Sequence, residues 1–229
     1  MKTLGLIGGT TWLSTVEYYA LLNKMVNERL GASNSARLIL YSLNFEDVIP
    51  PADIKAFKSR ITYFIDAATK LQNAGADCIV MCANTPHMFA DEMALKLNIP
   101  IIHIAEATAG EIKSAGLTKV GLLGTRVTME SDFYKKKLAE NGISTLIPNE
   151  TERNFINSSI FNELGKNILT KELKEKYLNI IERLRSEGAG GIVLGCTEIP
   201  LLIKQTDCDI PLFDTTLIHS KAAVDFALS

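Results

Sequence analysis

Two stretches of the sequence, "NAGADCIVMCANT" (Asn73–Thr85) and "SEGAGGIVLGCTE" (Ser186–Glu198), align with each other without gaps. Each contains a short β-branched run followed by small and polar residues, which is typical of a buried strand that enters a loop. Two further pairs repeat in the same order, "LGLIGG" with "VGLLGT" and "NIPIIHI" with "DIPLFDT". The offset between partners is nearly constant at roughly 110 residues, so the sequence predicts two similar halves.

Along the whole chain, short apolar runs alternate with longer amphipathic segments. This alternation indicates parallel sheets covered by helices on both faces. We therefore expect an α/β fold of two similar α/β/α halves, with parallel sheets related by pseudo-twofold symmetry. Residues 1–104 and 209–229 form the first predicted half, and residues 105–208 form the second. Sites in open parallel sheets form beyond the carboxyl ends of the strands, so the active site is expected in the cleft between the halves.

Composition narrows the class of protein. The chain has 229 residues, is 47% hydrophobic and carries a formal net charge of -2. There is no basic patch for nucleic acid and no apolar run of the ~18 residues that cross a membrane. The first residues, "MKTLGLIGG", lack the long apolar stretch of a signal peptide. We expect a cytoplasmic protein with reduced thiols and a small-molecule partner. The dispersed histidines and cysteines have no metal-ligand spacing, so no metal is expected.

The glycine-rich stretch "GLIGGTTWLST" (Gly5–Thr15) is the first candidate binding segment. It departs from the G-x-G-x-x-G pattern of dinucleotide sites. Glycines between a strand and a helix nevertheless expose backbone N–H groups that can bind a small carboxylate. Thr10, Thr11, Ser14 and Thr15 add hydroxyl donors, of which Thr10 and Thr11 are the main candidates. The alternative interpretation is a tight strand–helix turn in which Ser14 or Thr15 is the N-cap. Trp12 is expected either to line the cleft or to anchor the loop.

The segment "GCTEIP" carries the strongest catalytic candidate. Cys196 follows a buried strand and precedes a helix, whose N-terminus is expected to lower the pKa of the thiol. Thr197 can donate to a substrate carboxylate, and Glu198 can orient the thiol or share its proton. A lone cysteine is more often a small buried residue. We interpret Cys78 in that way, and Cys208 as structural or exposed.

The aligned segment "CANTPH" has Ala83 where the other stretch has Cys196. Asn84 and Thr85 can bind a carboxylate or an amino group. Cys82 is expected to point away from Ala83, because side chains alternate along a strand. His87 is expected to cap the next helix, to face solvent or to act chemically. The other two histidines have simpler interpretations: His103 as a core residue, and His219 as either a cap or a catalytic group.

These motifs resemble the aspartate/glutamate racemase superfamily, specifically its aspartate racemase-like amino-acid racemases. The resemblance covers essentially the whole chain and includes "LLGTRVTMESDFY" (Leu122–Tyr134), "IFNELGKN" (Ile160–Asn167) and "GCTEIPLL" (Gly195–Leu202). It implies a cofactor-independent homodimer in which two cysteines move the α-proton on opposite faces. Carried onto this chain, the second cysteine is Cys196, and the position of the first is held by Ala83. The resemblance also places Thr125 among the substrate-binding residues.

Ala83 leaves three interpretations open, because alanine is neither an acid nor a base. In the first, the chain is an engineered variant of a two-cysteine racemase. In the second, it is a natural one-cysteine enzyme that uses water, Cys82 or His87 on the other face. In the third, it is a one-cysteine decarboxylase or isomerase of a dicarboxylate. A binding protein for small acids is a non-enzymatic alternative. We expect a racemase of aspartate, glutamate or a similar polar amino acid. Three cations are candidates for binding the substrate side chain: Arg37, Arg126 and Lys166.

Overall fold

The structure is a computed structural model that describes residues 1–49 and 57–229. The chain divides into two compact units, one of residues 1–104 with 216–229 and the other of residues 105–215. Each unit contains a parallel sheet with helices, so the prediction of an α/β fold with two parallel sheets is confirmed. Within the described ranges no helix is both long and apolar enough to cross a membrane.

Helices and strands alternate throughout both units. The elements of the first stretch of chain are β1 (Leu4–Gly8), α1 (Trp12–Leu30), β2 (Leu38–Ser42), α2 (Phe45–Val48), α3 (Ile61–Asn73), β3 (Cys78–Met81) and α4 (Ala90–Ala94). Those that follow are α5 (Ile104–Ser114), β4 (Lys119–Gly124), α6 (Arg126–Glu130), α7 (Asp132–Glu140), β5 (Ser144–Leu146), α8 (Glu150–Asn162), α9 (Lys171–Ser186), β6 (Ile192–Gly195), α10 (Ile199–Leu202), β7 (Leu212–Asp214) and α11 (Thr215–Leu228).

The sheet of the first unit has the strand order β2-β1-β3, and all pairs are parallel. Side chains of β3 alternate between two apolar clusters. Ile79 and Met81 enter one cluster, whereas Cys78, Val80 and Cys82 enter the other. Both faces of β3 are therefore buried, which explains why this strand is a continuous apolar run.

The sheet of the second unit has the order β5-β4-β6-β7, again with parallel pairs. One large apolar cluster lies against it and draws residues from β4, β6, α8 and α9. The repeated sequence pairs form corresponding strands of the two sheets, β1 with β4 and β3 with β6. The order of paired strands is the same in both units, as the internal repeat predicts.

Several predicted boundaries need correction. The segment "PIIHI" is not a full strand, since only Ile101 makes an isolated parallel bridge, to Ile79. The predicted helix from Pro86 to Leu97 is a 3-10 helix (Thr85–Phe89) followed by the short α4. Sequence patterns also missed α2, α6, β5 and α8. The first three are short, and α8 has weak apolar periodicity, although its capping box of Asn149 and Glu152 is a second signal in the sequence.

The predicted domain boundary differs from the division in the structure at one segment. Residues 209–215 were expected in the first half but belong to the second unit. The reason is strand pairing: Leu212 to Asp214 form β7, which is hydrogen-bonded beside β6 in parallel register. A sequence repeat cannot distinguish this neighbour, because "DIPLFDT" and "NIPIIHI" have the same local pattern.

Candidate active site

Cys196 lies at the carboxyl edge of the second sheet. The β4–β6 register pairs Gly124 with Gly195, so Thr125 and Cys196 follow paired positions on neighbouring strands. The backbones approach closely there, because a Cβ built on Gly195 would lie 2.8 Å from the carbonyl oxygen of Leu123. Glycine before the cysteine therefore allows the two strands to remain paired up to the point where the thiol emerges.

Three adjacent side chains form what we call the thiol cluster: Cys196, Thr197 and Glu198. The Cys196 thiol donates to Glu198 Oε2 at 2.9 Å, and the Thr197 hydroxyl donates to the same oxygen at 2.8 Å. Glu198 is buried, whereas Cys196 is half-buried. The expectation that Glu198 orients the thiol agrees with this geometry. The Thr197 hydroxyl, in contrast, uses its hydrogen for the bond to Glu198 and does not offer it to a substrate carboxylate.

The pKa of Cys196 is well above its ordinary value, which corrects the expectation of a lowered pKa. Burial disfavours the thiolate most, and the negative charge of Glu198 adds to this effect. The backbone N–H groups of Thr197 and Glu198 act in the opposite direction but are weaker. The next helix, α10, starts only at Ile199 and has four residues, so its N-terminus does not dominate. The resting group is a thiol.

The neighbouring strand end is shaped by Thr125, which caps α6. Its hydroxyl oxygen accepts from the N–H of Thr128 at 3.3 Å. Arg126 follows, with its backbone N–H donating to Asn157 Oδ1 at 2.8 Å and its guanidinium to Asn154. Arg126 is thus at the carboxyl edge of β4, next to Thr125, while Asn residues of α8 hold it in place.

The other two cations differ sharply in position. Arg37 precedes β2, and its carbonyl oxygen accepts from the N–H of Leu4 at 2.9 Å. It therefore lies at the amino edge of the first sheet, so it is removed from the candidates because ligand sites form at the carboxyl edge. Lys166 is the exposed last residue of a 3-10 helix (Leu164–Lys166) that contacts α10, just after the thiol cluster.

The corresponding carboxyl edge of the first sheet carries Ala83 and the glycine loop. Beyond the last β1–β3 pair, the N–H of Cys82 donates to the carbonyl oxygen of Ile7 at 2.9 Å. Pairing thus continues one residue past β3, and Ala83 and the buried Asn84 come next. Thr85 is also buried and begins the 3-10 helix. The side chains expected to bind a substrate do follow the strand ends.

The loop after β1 depends on Gly9. Its φ is +83°, and a Cβ would lie only 1.9 Å from the carbonyl oxygen of Leu43. Thr11, not Ser14 or Thr15, is the N-cap of α1, and its side chain accepts from the N–H of Ser14. Thr15 accepts from the N–H of Gly9 at 2.8 Å and donates to the carbonyl oxygen of Thr11 at 3.0 Å. The hydroxyl of Thr15 therefore closes the loop.

Thr10 and Trp12 complete the loop in different ways. The hydroxyl oxygen of Thr10 is buried and makes no hydrogen bond within the described part of the chain. A buried polar atom of this kind is costly unless a ligand or water satisfies it. Trp12 is the first residue of α1 and is 68% exposed, so it does not anchor the loop.

Two thiols of the first unit belong to the core. Cys78 and Cys82 are fully buried in the same apolar cluster, as predicted for Cys78. Burial raises the pKa of Cys78 to about 12, and it raises the pKa of Cys82 further. Cys82 therefore does not replace the thiol missing at Ala83. In the second unit, Cys208 is half-buried.

The three histidines form one buried cluster, which the sequence analysis missed. The ring of His87 packs edge-on against His103 and His219, with centroid distances of 5.0 Å and 5.1 Å. His87 was expected to cap a helix, face solvent or act chemically, but it is 2% exposed. His219 neither caps a helix nor faces solvent, and His103 precedes α5 instead of lying in a strand. In the described ranges no group of His, Cys, Asp and Glu is arranged to hold a metal ion.

The chain thus has two parallel α/β units, and in the second unit a thiol at a strand end donates a hydrogen bond to a buried carboxylate. Residues 7–223 match the family described as Asp/Glu/Hydantoin racemase, and the chain belongs to that family. This confirms the resemblance drawn from the sequence motifs.

Three similar proteins illustrate the relationship. A solved structure of a putative Asp/Glu racemase from Yersinia pestis is 42% identical, with a TM-score of 0.93 and coverage of 100% of both chains. An aspartate racemase homologue from Pyrococcus horikoshii is 40% identical, with a TM-score of 0.88 and the same coverage. The broad specificity amino-acid racemase RacX of Bacillus subtilis is 26% identical over 230 residues, covering 99% of this chain and 98% of its own.

Proposed function

We propose that this protein is a cofactor-independent amino-acid racemase that acts on aspartate, glutamate or a similar polar amino acid. Cys196 is the proton-transferring group on one face of the α-carbon. The family and the names of its relatives support the class of reaction. The observation that carries the proposal is the hydrogen bond of 2.9 Å from the Cys196 thiol to the buried carboxylate of Glu198.

Glu198 can accept the proton of the Cys196 thiol, because its carboxylate already accepts the hydrogen bond from that thiol. When the proton moves to Glu198, a thiolate forms beside a neutral acid, and two negative charges never face each other. This transfer is unfavourable in the free protein, because a thiol is a weaker acid than a carboxylic acid. The ammonium group of a bound amino acid favours the thiolate and lowers that cost. The thiolate then takes the α-proton: the C–H bond breaks, the S–H bond forms, and the electron pair spreads into the substrate carboxylate.

The substrate carboxylate gains negative charge as the α-proton leaves, so it needs fixed donors. The buried hydroxyl of Thr10, which has no partner in the described ranges, supports a place for Thr10 among them. The Thr197 hydroxyl donates to Glu198, so it must turn from that carboxylate to reach the substrate. The proposed substrate-binding set is Thr10, Thr11, Asn84, Thr85, Thr125 and Thr197.

Ala83 is the position of the second proton-transferring group. Cys82 is buried in the core, so a natural one-cysteine enzyme would depend on water at Ala83. An engineered chain would regain the missing group through Ala83→Cys. The raised pKa of Cys196 favours a second candidate function, a one-cysteine decarboxylase or isomerase of a dicarboxylate. A thiol that is protonated at rest suits the protonation of an enediolate after carbon dioxide leaves.

The first test is α-proton exchange. L-aspartate and L-glutamate are incubated separately with the protein in heavy water, and the α-hydrogen signal is followed by NMR. We expect exchange in the native chain and at least a 100-fold loss in Cys196→Ser. A chiral assay of the same samples shows whether the opposite face is also served.

The outcomes separate the candidates. Exchange that depends on Cys196, or that appears in Ala83→Cys, supports the racemase. Turnover of a substituted malonate by the native chain, with no amino-acid exchange in either form, supports the decarboxylase and contradicts the racemase. Ligand binding without turnover in either form would leave a binding protein.

Assembly and location are further parts of the proposal. The resemblance implies a homodimer, and the composition suits the cytoplasm. Sedimentation velocity of the purified protein tests the first, because a homodimer has twice the 25.1 kDa of one chain.

A further inference from the structure

Two consecutive carbonyl groups after β3 accept hydrogen bonds from buried side chains. Ser14 on α1 donates to the carbonyl oxygen of Cys82. His87 Nδ1 lies 2.9 Å from the carbonyl oxygen of Ala83. Because a carbonyl oxygen can only accept, Nδ1 must carry the ring hydrogen of neutral His87. Both side chains therefore hold the backbone that leads into Asn84 and Thr85.

A second buried histidine holds the neighbouring loop. His219 Nε2 lies 2.7 Å from the carbonyl oxygen of Ile102, so Nε2 carries the hydrogen. Its Nδ1 then accepts from the hydroxyl of Tyr18 at 2.8 Å. Since the rings of His219 and His87 pack against each other, the two loops share one support.

We propose that His87 and His219 are positioning residues that hold the loop of residues 82–85 in the shape needed for α-proton transfer at this site. The inference rests on the proposed function. It assigns neither histidine as an acid or base of the reaction.

Burial and tautomer support a positioning role. His87 is almost entirely buried, and its Nδ1 is already committed to the carbonyl oxygen of Ala83. Burial and the neighbouring His103 and His219 rings hold the pKa of His87 well below its ordinary value. Protonation would place a positive charge inside this buried cluster, and hydrogen bonds to the backbone of Ala83 and Ile102 offset only part of that cost. The neutral ring is thus the form that fits.

The test compares two amides that replace different nitrogens of the ring. In His87→Asn the side-chain nitrogen falls near Nδ1 and can still donate to the carbonyl oxygen of Ala83. In His87→Gln it falls near Nε2 and cannot. Hydrogen–deuterium exchange of the backbone amides of residues 82–87 is followed by mass spectrometry, and α-proton exchange is measured for the same proteins.

We expect His87→Gln to exchange these amides at least 10-fold faster and to lose about 100-fold in kcat/KM, the cost of a misplacement near 1 Å. His87→Asn should remain within about 3-fold of the native chain in both measurements. Equal losses of kcat/KM in both variants, together with the loss of one limb of the pH–rate profile, would overturn the proposal and indicate that His87 is a base of the reaction. Unchanged amide exchange in His87→Gln would also overturn it.

A milder variant keeps the test decisive if His87→Gln does not fold. Tyr18→Phe removes only the hydroxyl that donates to His219, and we expect faster amide exchange at residues 100–103 and 82–87. No change at either segment contradicts the proposal. If the native chain moves no α-proton, the proposed function fails, while the amide-exchange measurements still decide the positioning role.

Discussion

Burial is the larger cause of the raised pKa of Cys196, but part of the rise should come from one neighbouring charge, that of Glu198. Glu198→Gln keeps the size of the side chain but removes a negative charge whose oxygen lies 2.9 Å from the thiol sulfur. At an effective dielectric constant of about 20, two unit charges at this separation repel by roughly 6 kcal/mol, or about 4 pKa units. Cys196 is half-buried, so water screens part of this energy. We expect the pKa of Cys196 to fall by about 2 units or more.

The assay is the pH dependence of alkylation by iodoacetamide, which reacts with the thiolate. The protein carries Cys208→Ser, because Cys208 is the other thiol that is not fully buried. With a fall of about 2 pKa units, Glu198→Gln should react roughly 100-fold faster at neutral pH. The thiol pKa should still remain above its ordinary value, because burial acts independently of Glu198.

A matched control removes a carboxylate elsewhere. Glu172 is exposed in the first turn of α9 and makes no hydrogen bond to the thiol, so Glu172→Gln should leave the reactivity of Cys196 unchanged. An unchanged or higher thiol pKa in Glu198→Gln would refute the electrostatic reasoning. That result would assign the whole shift to burial and remove the basis for proton sharing between the two groups.

Two further predictions concern stability. Gly9→Ala should lower the free energy of unfolding by about 3 kcal/mol or more, because its Cβ would collide with Leu43. Gly31→Ala has a φ of +69° but open space around it, so thermal unfolding should show a cost of only about 1–2 kcal/mol. Burial lowers the pKa of His219 from 6.5 to about 4, so the unfolded chain binds the proton first as the pH falls. Urea unfolding should show up to about 3 kcal/mol lost between those two pH values, and His219→Gln should lose less; equal acid sensitivity of the two proteins would contradict the assignment.

Much of the fold follows from local patterns. The apolar runs before Ala83 and Cys196 predicted β3 and β6 to within about two residues, because a strand buried on both faces needs continuous apolar side chains. The repeat likewise predicted two units with parallel sheets. Boundaries failed where the pattern was weak, as in β5 with three residues and in the single bridge at Ile101.

The candidate site, like the fold, was only partly predictable from the sequence. Cys196, Thr197 and Glu198 are adjacent in the sequence, so their association was predictable, but the direction of the pKa shift was not. It depends on how deeply Glu198 and the thiol are buried, and burial is a property of the packed molecule. Several hydroxyl residues follow β1, so the sequence alone did not single out the N-cap of α1. Ser14 or Thr15 was one interpretation, whereas the structure has Thr11 at that position.

By itself, the sequence determined the alternation of strands and helices, the repeat, the thiol at residue 196 and the alanine at residue 83. These features depend on residue type and on spacings of a few residues. Only the tertiary structure placed β7 beside β6 and brought His219 to Tyr18, which is 201 residues away in the chain. Hydropathy patterns carry no information about partners so distant, since those contacts form only when each unit folds. The same packing removes water from His87 and His219, which keeps them neutral and makes them supports for the loop after β3.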